Sequence, residues 1–385
     1  MKIVYVLDSL VNMAGTERVI IDKANFFAEK LGYNVYIITT DQNTHPVVYS
    51  LYKTIKHIDL GINFYQRYKF NRLKREITYW KLRREFKNKI TNALISLHPD
   101  ITICTTIYPI FFLPSIPDGS IKIIEAHLAK EYSGNQYLYT KKNLCFKIIA
   151  RFLSWKTEHF VKKFDELVVL TQKDAKSWAK TKEATIIPNS LPFYPKEKST
   201  CKNKQIISAG RLDEQKGYDL LIQAWKLVAE KHSEWSLHIY GNGSLKNALK
   251  ETIKKEGLSD SLIIKKPVSD IYNKYIESSI YVMSSRYEGF GMVLIEAMAC
   301  GIPVVSFDCP NGPSDIVTDG EDGFLVKNGN IEALAEKICY LIENENTRIE
   351  MGKKARENVK RYMPDIIMEK WIDLFNSLKQ SNQNV

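Results

Sequence analysis

The feature that most constrains the fold is an alternation, run through twice, of short apolar segments with longer segments of helical period. Residues 3–7 (IVYVL) form one apolar run. Residues 16–31 carry Val19, Ile20, Ala24, Phe27 and Leu31 at helical spacing, and residues 34–40 form the next run. Short apolar runs read as strands buried on both faces, and a period near 3.6 reads as an amphipathic helix. Strand, helix, strand at this spacing predicts a parallel sheet with right-handed crossovers. Further strands are expected at 101–105, 121–125 and 166–170. A second series is expected at 205–209, 236–240, 262–265, 280–283, 303–307 and 323–326.

Between the two series lies P-K-E-K-S-T-C-K-N-K at 195–204, which reads as a polar linker. A chain of 385 residues is also long for a single core. The expected fold class is therefore α/β, with two Rossmann-like domains over 1–190 and 191–364. A last helix over 365–385 is introduced by Pro364 and Asp365. Open sheets of this kind take their ligands at the carboxyl ends of the strands. If the two domains face a central cleft, donor and acceptor meet there.

Six scattered cysteines with no C-x-x-C argue against zinc and against a disulfide framework, and point to a reducing cytoplasm. The opening MKIVYVLDSL is broken by Asp8 and reads as a first strand rather than a signal peptide. No apolar run reaches the length of a spanning helix. The net charge of +11 is uneven: residues 1–190 hold 29 Lys and Arg against 17 Asp and Glu, and the remainder is close to balanced. Any anionic surface this chain meets is expected to meet the first half.

Arg286 to Pro303 reads R-Y-E-G-F-G-M-V-L-I-E-A-M-A-C-G-I-P. It places Glu288 in a tight turn with Phe290 and Gly291. Glu296 follows inside a helix that Gly301 and Pro303 stop, about two turns in. Glycines let a ligand approach the backbone, and the first amides of a helix lack internal partners. Free amides beside two carboxylates suit a phosphorylated, hydroxyl-rich ligand such as a nucleotide-sugar. Two carboxylates at a helix mouth are also ordinary capping residues. A second stretch, S-A-G-R-L-D-E-Q-K-G-Y-D-L-L-I at 208–222, sets Arg211 and Lys216 in a loop between Gly210 and Gly217. A planar fork and a mobile point charge both suit phosphate oxygens.

The E-G-F-G start and the seven residues between the two glutamates resemble the donor-site signature of retaining glycosyltransferases of family 4, which have the GT-B fold. The G-R-L-x-x-x-K-G element at 210–217 resembles the same family's diphosphate-binding loop. The resemblance spans nearly the whole chain and is strongest from about 206 to 326. It implies that Arg211 and Lys216 hold the donor diphosphate and stabilise the departing nucleoside diphosphate. It implies that Glu296 holds the ribose hydroxyls, and that Glu288 orients the sugar with the amides of Phe290 and Gly291. It implies that the first domain takes the acceptor and the second the nucleotide-sugar. It also implies that the last helix crosses back to the first domain.

N-M-A-G-T-E-R at 12–18 resembles the family's G-G-x-E-R loop, with Ala14 in place of the first glycine, and Gly15 is carried over as a binding position. Glu125-Ala126-His127 closes an apolar run. The family often has a His near here that contacts the donor sugar, so His127 is carried as a catalytic candidate, against the bland reading of a structural His. P-N-G-P-S-D at 310–315 is a rigid turn. It resembles the G-P-S-[DE] element of members that build surface glycans, often from UDP-sugars. Tyr240-Gly-Asn-Gly is taken as a simple turn. No D-x-D occurs, so no divalent cation and no other cofactor is expected.

Residues 67–89 hold ten Lys and Arg against two Glu, with Phe70, Leu73, Ile77 and Trp80 in one stripe at helical spacing. Either the stripe faces the core, or the helix lies on an anionic membrane or a lipid diphosphate. The expected partners are a nucleotide-sugar, UDP-linked by preference, and a glycan or polyprenyl-diphosphate-linked acceptor. The expected activity is transfer of a hexose or N-acetylhexosamine in surface-polysaccharide synthesis. A sugar-nucleotide epimerase on a similar scaffold and an inactive scaffold are the alternatives. A nucleic-acid binder would leave the donor motifs unexplained.

Overall fold

The computed structural model describes residues 1–11, 15–105, 111–131 and 144–383. It divides into two units, each built on its own sheet. One comprises Met1–Leu170, Asp174–Ile187 and the chain from Met368; the other comprises Thr171–Lys173 and Pro188–Ile367.

The first unit has a seven-stranded sheet in the order β3-β2-β1-β4-β5-β6-β7. The strands are β1 Lys2–Leu7, β2 Asn34–Thr39, β3 Lys56–Asp59, β4 Ile101–Cys104, β5 Ile121–Ala126, β6 Glu166–Val169 and β7 Thr185–Ile186. The second unit has a six-stranded sheet in the order β10-β9-β8-β11-β12-β13. Its strands are β8 Gln205–Ala209, β9 Ser236–Tyr240, β10 Leu262–Lys265, β11 Ile280–Met283, β12 Val304–Asp308 and β13 Gly323–Lys327. Each ladder within both sheets is parallel. Central strands such as β4 and β11 are buried along their whole length, because helices cover both faces. In both sheets the chain winds one way from the first strand and then reverses across it. This is the doubly wound order whose reversal leaves a crevice at the strands' carboxyl ends.

Two strands were not expected. β3 is the polar run KHID at the sheet edge, and β7 has only two residues. Neither has enough apolar residues to show a period. The 195–204 segment is not a free linker. Ser199 and Cys201 are buried, the Ser199 amide bonds Cys300 O at 2.8 Å, and Arg348 Nε donates to Cys201 O at 2.8 Å. The Ser199 hydroxyl and the Cys201 thiol bond to backbone carbonyls of the second unit, while the lysines around them stay exposed.

The C-terminal helix Pro364–Gln383 supplies Trp371 and Phe375 to the first unit. Phe375 packs on Phe27 with ring centroids 5.5 Å apart. Beside them Lys23, on the helix Gly15–Leu31, is 1% exposed; its Nζ lies 3.8 Å from the Trp371 ring centroid and 2.5 Å from Glu125 Oε2. Burial opposes ionisation of Glu125, but the charges of Lys23 and His127 outweigh it and hold its pKa down at about 2. Burial lowers the Lys23 pKa.

A buried pair is most costly when half of it is removed. Glu125→Gln should destabilise the first unit by about 3–5 kcal/mol, read by urea unfolding of the full chain. Lys23→Met added to it should recover much of the loss; a double variant no better than the single would overturn the pairing. The Glu125 carboxylate is favoured in the folded state. Its contribution should be complete above about pH 5 and fall away as the pH drops toward the folded pKa.

Candidate active site

In the second sheet the strand order reverses between β8 and β11, which pair side by side. The two loops that leave these strands carry the residues singled out in the sequence. After β8 come Gly210 and Arg211, then a single tight turn over Glu214–Lys216. Asp213 caps that turn, its Oδ1 accepting from the Lys216 amide at 3.3 Å. After β11 come Ser284 to Gly291, and then the helix Met292–Ala299.

The loops are strapped together. The Arg286 amide donates to Gln215 O at 2.8 Å, and Gln215 Nε2 donates to Tyr287 O at 3.0 Å. Arg286 clamps Asp219 through two bonds of 2.8 and 2.6 Å. Gly217 has φ of 61°, and a Cβ there would lie 2.1 Å from Ser284 O. Only glycine allows both that backbone turn and that approach. The Tyr240-Gly-Asn-Gly turn is more than a connection: the Gly210 amide bonds Tyr240 O at 3.0 Å and the Leu212 amide bonds Asn242 O at 2.9 Å. It therefore supports the loop that carries Arg211.

The straps bring Lys216 and Glu288 into direct contact. Lys216 Nζ donates to Glu288 Oε1 at 2.7 Å, and Ser285 Oγ donates to the same oxygen at 2.6 Å. Glu288 is buried, while Lys216 keeps 16% of its side chain exposed. Arg211 is 71% exposed, with Gln215 Oε1 at 3.1 Å and Asp213 Oδ2 at 3.4 Å. Glu296 lies one turn inside its helix rather than two, because the helix starts at Met292. It is buried and accepts from the Tyr275 hydroxyl at 3.2 Å. Burial first, and the Glu296 charge next, push the Tyr275 pKa well above the usual range, so Tyr275 stays a donor.

The P-N-G-P-S-D segment braces the same loop from behind. The Glu288 amide bonds Pro310 O at 3.2 Å. Gly312 has φ of 107°, and a Cβ there would lie 1.8 Å from Phe290 O, so a side chain would push the Phe290–Gly291 turn out of place. Phe290 itself is buried edge-on to Tyr362, with centroids 5.6 Å apart.

Seven of the nine candidate positions thus lie on the second unit at one strand switch. Gly15 and His127 lie on the first unit. Gly15 opens the helix Gly15–Leu31, and a Cβ there would meet no atom within 4 Å, so local packing does not demand glycine. Residues 12–14 of its loop lie outside the described residues. The His127 side chain is 5% exposed and its Nε2 is 3.2 Å from Glu125 Oε1, within the buried pair described above. Ser285, Tyr275 and the Arg286–Asp219 clamp were not anticipated. Ser285 precedes and Arg286 opens the 286–303 stretch, and Asp219 lies within the 208–222 stretch, but a side chain that holds another has no spacing signature of its own. Among the described residues, no group of three or more His, Cys, Asp or Glu is placed to hold a metal ion.

An exposed guanidinium, a lysine already poised on a carboxylate and the amide end of a helix together can bind a diphosphate. Two carboxylates held by hydroxyl donors can bind sugar hydroxyls.

Comparison with known proteins agrees. Residues 193–358 match the family model described as glycosyl transferases group 1. An uncharacterised glycosyltransferase of Haemophilus influenzae is 30% identical over 380 residues, which is 96% of this chain and 98% of that one. A poly(ribitol-phosphate) alpha-N-acetylglucosaminyltransferase of Staphylococcus aureus is 36% identical over 192 residues, covering 50% of this chain and 39% of its own. A crystal structure of a mutant S. aureus TarM in complex with fondaparinux, alpha-GlcNAc-glycerol and UDP superposes with a TM-score of 0.77. It does so at 20% identity, over 97% of this chain and 99% of that one. Two parallel-sheet α/β domains of the GT-B kind are therefore the fold of this chain. The chain belongs to the glycosyltransferases, and its second unit carries the group 1 module of that family.

Proposed function

We propose that this glycosyltransferase moves a hexose or N-acetylhexosamine, with retention, from a UDP-sugar to a glycan or lipid-linked oligosaccharide in surface-polysaccharide synthesis. The carrying observation is the Lys216–Glu288 pair at the β8–β11 switch, beside the exposed Arg211. A UDP donor and a glycan acceptor are supported by the named contents of the TarM complex, and a surface polymer by the poly(ribitol-phosphate) enzyme.

Arg211 and Lys216 would neutralise the diphosphate, and more strongly as negative charge grows on it during departure. Cations fixed in place before the reaction lower the barrier without reorganising. A diphosphate oxygen arriving at Lys216 competes with Glu288 for the same ammonium. Binding of donor would thus release Glu288 Oε1 toward the sugar hydroxyls while Ser285 still holds it. Glu296, oriented by Tyr275, would take the ribose hydroxyls. The acceptor would approach from the face the leaving group vacates and pass its proton to the donor phosphate. The first unit would hold the acceptor, with Gly15 and His127 as its candidate positions. Two cations in place of a metal make the reaction independent of divalent ions.

A panel of UDP-, GDP- and ADP-sugars tests the donor, read by binding and slow hydrolysis with and without EDTA. One UDP-sugar should bind selectively, unchanged by EDTA. Preference for another nucleotide, or loss of binding in EDTA, would overturn that part of the reading.

Arg211→Ala, Lys216→Ala and Glu288→Ala should each cut kcat for transfer or donor hydrolysis by about 10²–10³, with the unfolding midpoint little changed for Arg211→Ala. Full activity in all three would remove the site assignment.

A further inference from the structure

The stripe Phe70, Leu73, Ile77 and Trp80 does not face the core. These side chains are 37, 81, 58 and 59% exposed. The helix that carries most of them, Arg72–Leu97, buries a different set: Tyr79, Phe86, Ile90 and Leu94. No residue before Tyr79 is buried. The helix has 26 residues and runs about 39 Å, whereas the four-residue strand β4 that follows it spans about 13 Å. Its first two turns therefore overhang the sheet, and they carry the apolar stripe.

A second helix of this unit, Leu144–Val161, also carries exposed apolar side chains, although Ala150 on it is buried. Ile148, Phe152 and Trp155 are 60, 59 and 60% exposed, and its buried end is Phe160 and Val161. Phe152, Trp155 and His159 stack in a row, at 6.0 and 5.7 Å between centroids. Both helices join one core cluster, on one face of the sheet. They flank a single segment: Phe86 packs on Phe112 at 5.4 Å and Phe160 packs on Phe111 at 4.6 Å. Both also cross back between parallel strands, from β3 to β4 and from β5 to β6. Their amino-terminal halves consequently lie at the same end of the sheet, the carboxyl end of the strands. Leu73, Ile77 and Trp80 lie on the first of these halves, Ile148 and Phe152 lie on the second, and Trp155 follows one turn further along.

The patch is rimmed by cations. Residues 67–84 carry eight Lys and Arg against one Glu, and Arg151 and Lys156 lie beside Phe152 and Trp155 in the chain. Several cations lie over the exposed rings, Lys74 over Phe70 at 4.5 Å and Arg83 over Trp80 at 5.2 Å. Of the six tryptophans, Trp178, Trp225, Trp235 and Trp371 are at most 4% exposed, while Trp80 and Trp155 are about 60% exposed. Aromatic rings with flanking Lys and Arg suit the boundary between head groups and acyl chains. Among the described residues, no helix is long and apolar enough to cross a membrane.

We propose that the carboxyl end of the first sheet docks on an anionic lipid bilayer, through the exposed apolar faces of the helices Arg72–Leu97 and Leu144–Val161. Leu73, Ile77, Trp80, Phe152 and Trp155 enter the head-group boundary, and the surrounding Lys and Arg meet lipid phosphates. The proposal is independent of the transfer chemistry, because none of these residues belongs to the donor site.

The test is flotation of the full chain with phosphatidylcholine vesicles, with and without phosphatidylglycerol, alongside tryptophan emission. Binding should need phosphatidylglycerol, weaken as salt rises, and shift the emission to the blue. Only Trp80 and Trp155 are exposed enough to report a drier surrounding. Arg83→Glu with Arg84→Glu should weaken binding by at least about tenfold. Leu73→Ser with Ile77→Ser should do the same, and a separate Phe152→Ser, Trp155→Ser variant should too. These side chains are exposed, so unfolding midpoints and donor hydrolysis should stay at their unmodified values. No flotation with anionic vesicles, equal flotation with phosphatidylcholine alone, or full binding by the three variants would each overturn the proposal.

Discussion

The candidate donor site rests on the pairing of β8 with β11 where the strand order reverses. That pairing brings two loops distant in sequence to one place, and glycine decides how close they come. With Gly217 against the Ser284 carbonyl, the Lys216 side chain leaves its loop directly beside Glu288. The clamp from Arg286 to Asp219 then fixes the second loop against the helix that follows the first. None of these contacts would touch a ligand. They set where the ammonium and the carboxylate stand, and a site for a diphosphate and a sugar needs those positions held within a fraction of an ångström.

Two lysine–glutamate pairs in this chain show how burial separates structure from function. Lys23 and Glu125 sit on the first unit, both about 1% exposed, with Trp371 over the ammonium. Nothing is left open there for a ligand to displace, and the pair ties strand, helix and C-terminal helix into one core. Lys216 and Glu288 are as close, but Lys216 keeps an exposed flank. A second anion can reach it without the protein unfolding. His127 lies beside the first pair. Its Nε2 stands 3.2 Å from Glu125 Oε1.

The parts of the fold that could be read in the sequence are those where burial writes a period. The apolar runs of β1, β4, β8 and β11 and the helix Gly15–Leu31 could be placed to within a residue or two. The donor loops could be read because glycine, cation and carboxylate recur at fixed offsets. What stayed hidden lacks such a mark. β3 pairs through its backbone with side chains that look like a loop, and β7 is too short to show alternation. The 195–204 segment is mostly solvated, yet the Ser199 hydroxyl and the Cys201 thiol inside it turn inward to carbonyls of the second unit, which its polar composition does not reveal. Ser285 and Tyr275 hold the two glutamates by bonds that depend on the fold alone.

The helix Arg72–Leu97 was ambiguous for a physical reason. A single amphipathic stripe cannot tell a helix buried on its apolar side from one that offers that side to another apolar phase. This helix does both along its length. Its carboxyl half follows the core spacing Phe86, Ile90, Leu94, and its amino half turns Leu73, Ile77 and Trp80 outward. The overall amphipathic signal is weak because the two apolar faces point in different directions and partly cancel. Length resolves what period cannot. A crossover helix three times as long as the strand it feeds has turns the sheet cannot cover, and the residue types on those turns say what covers them instead. Polar residues there would mean water. Leucine, isoleucine and tryptophan set among lysine and arginine fit the proposed docking on a surface that is oily just beneath a layer of negative charge.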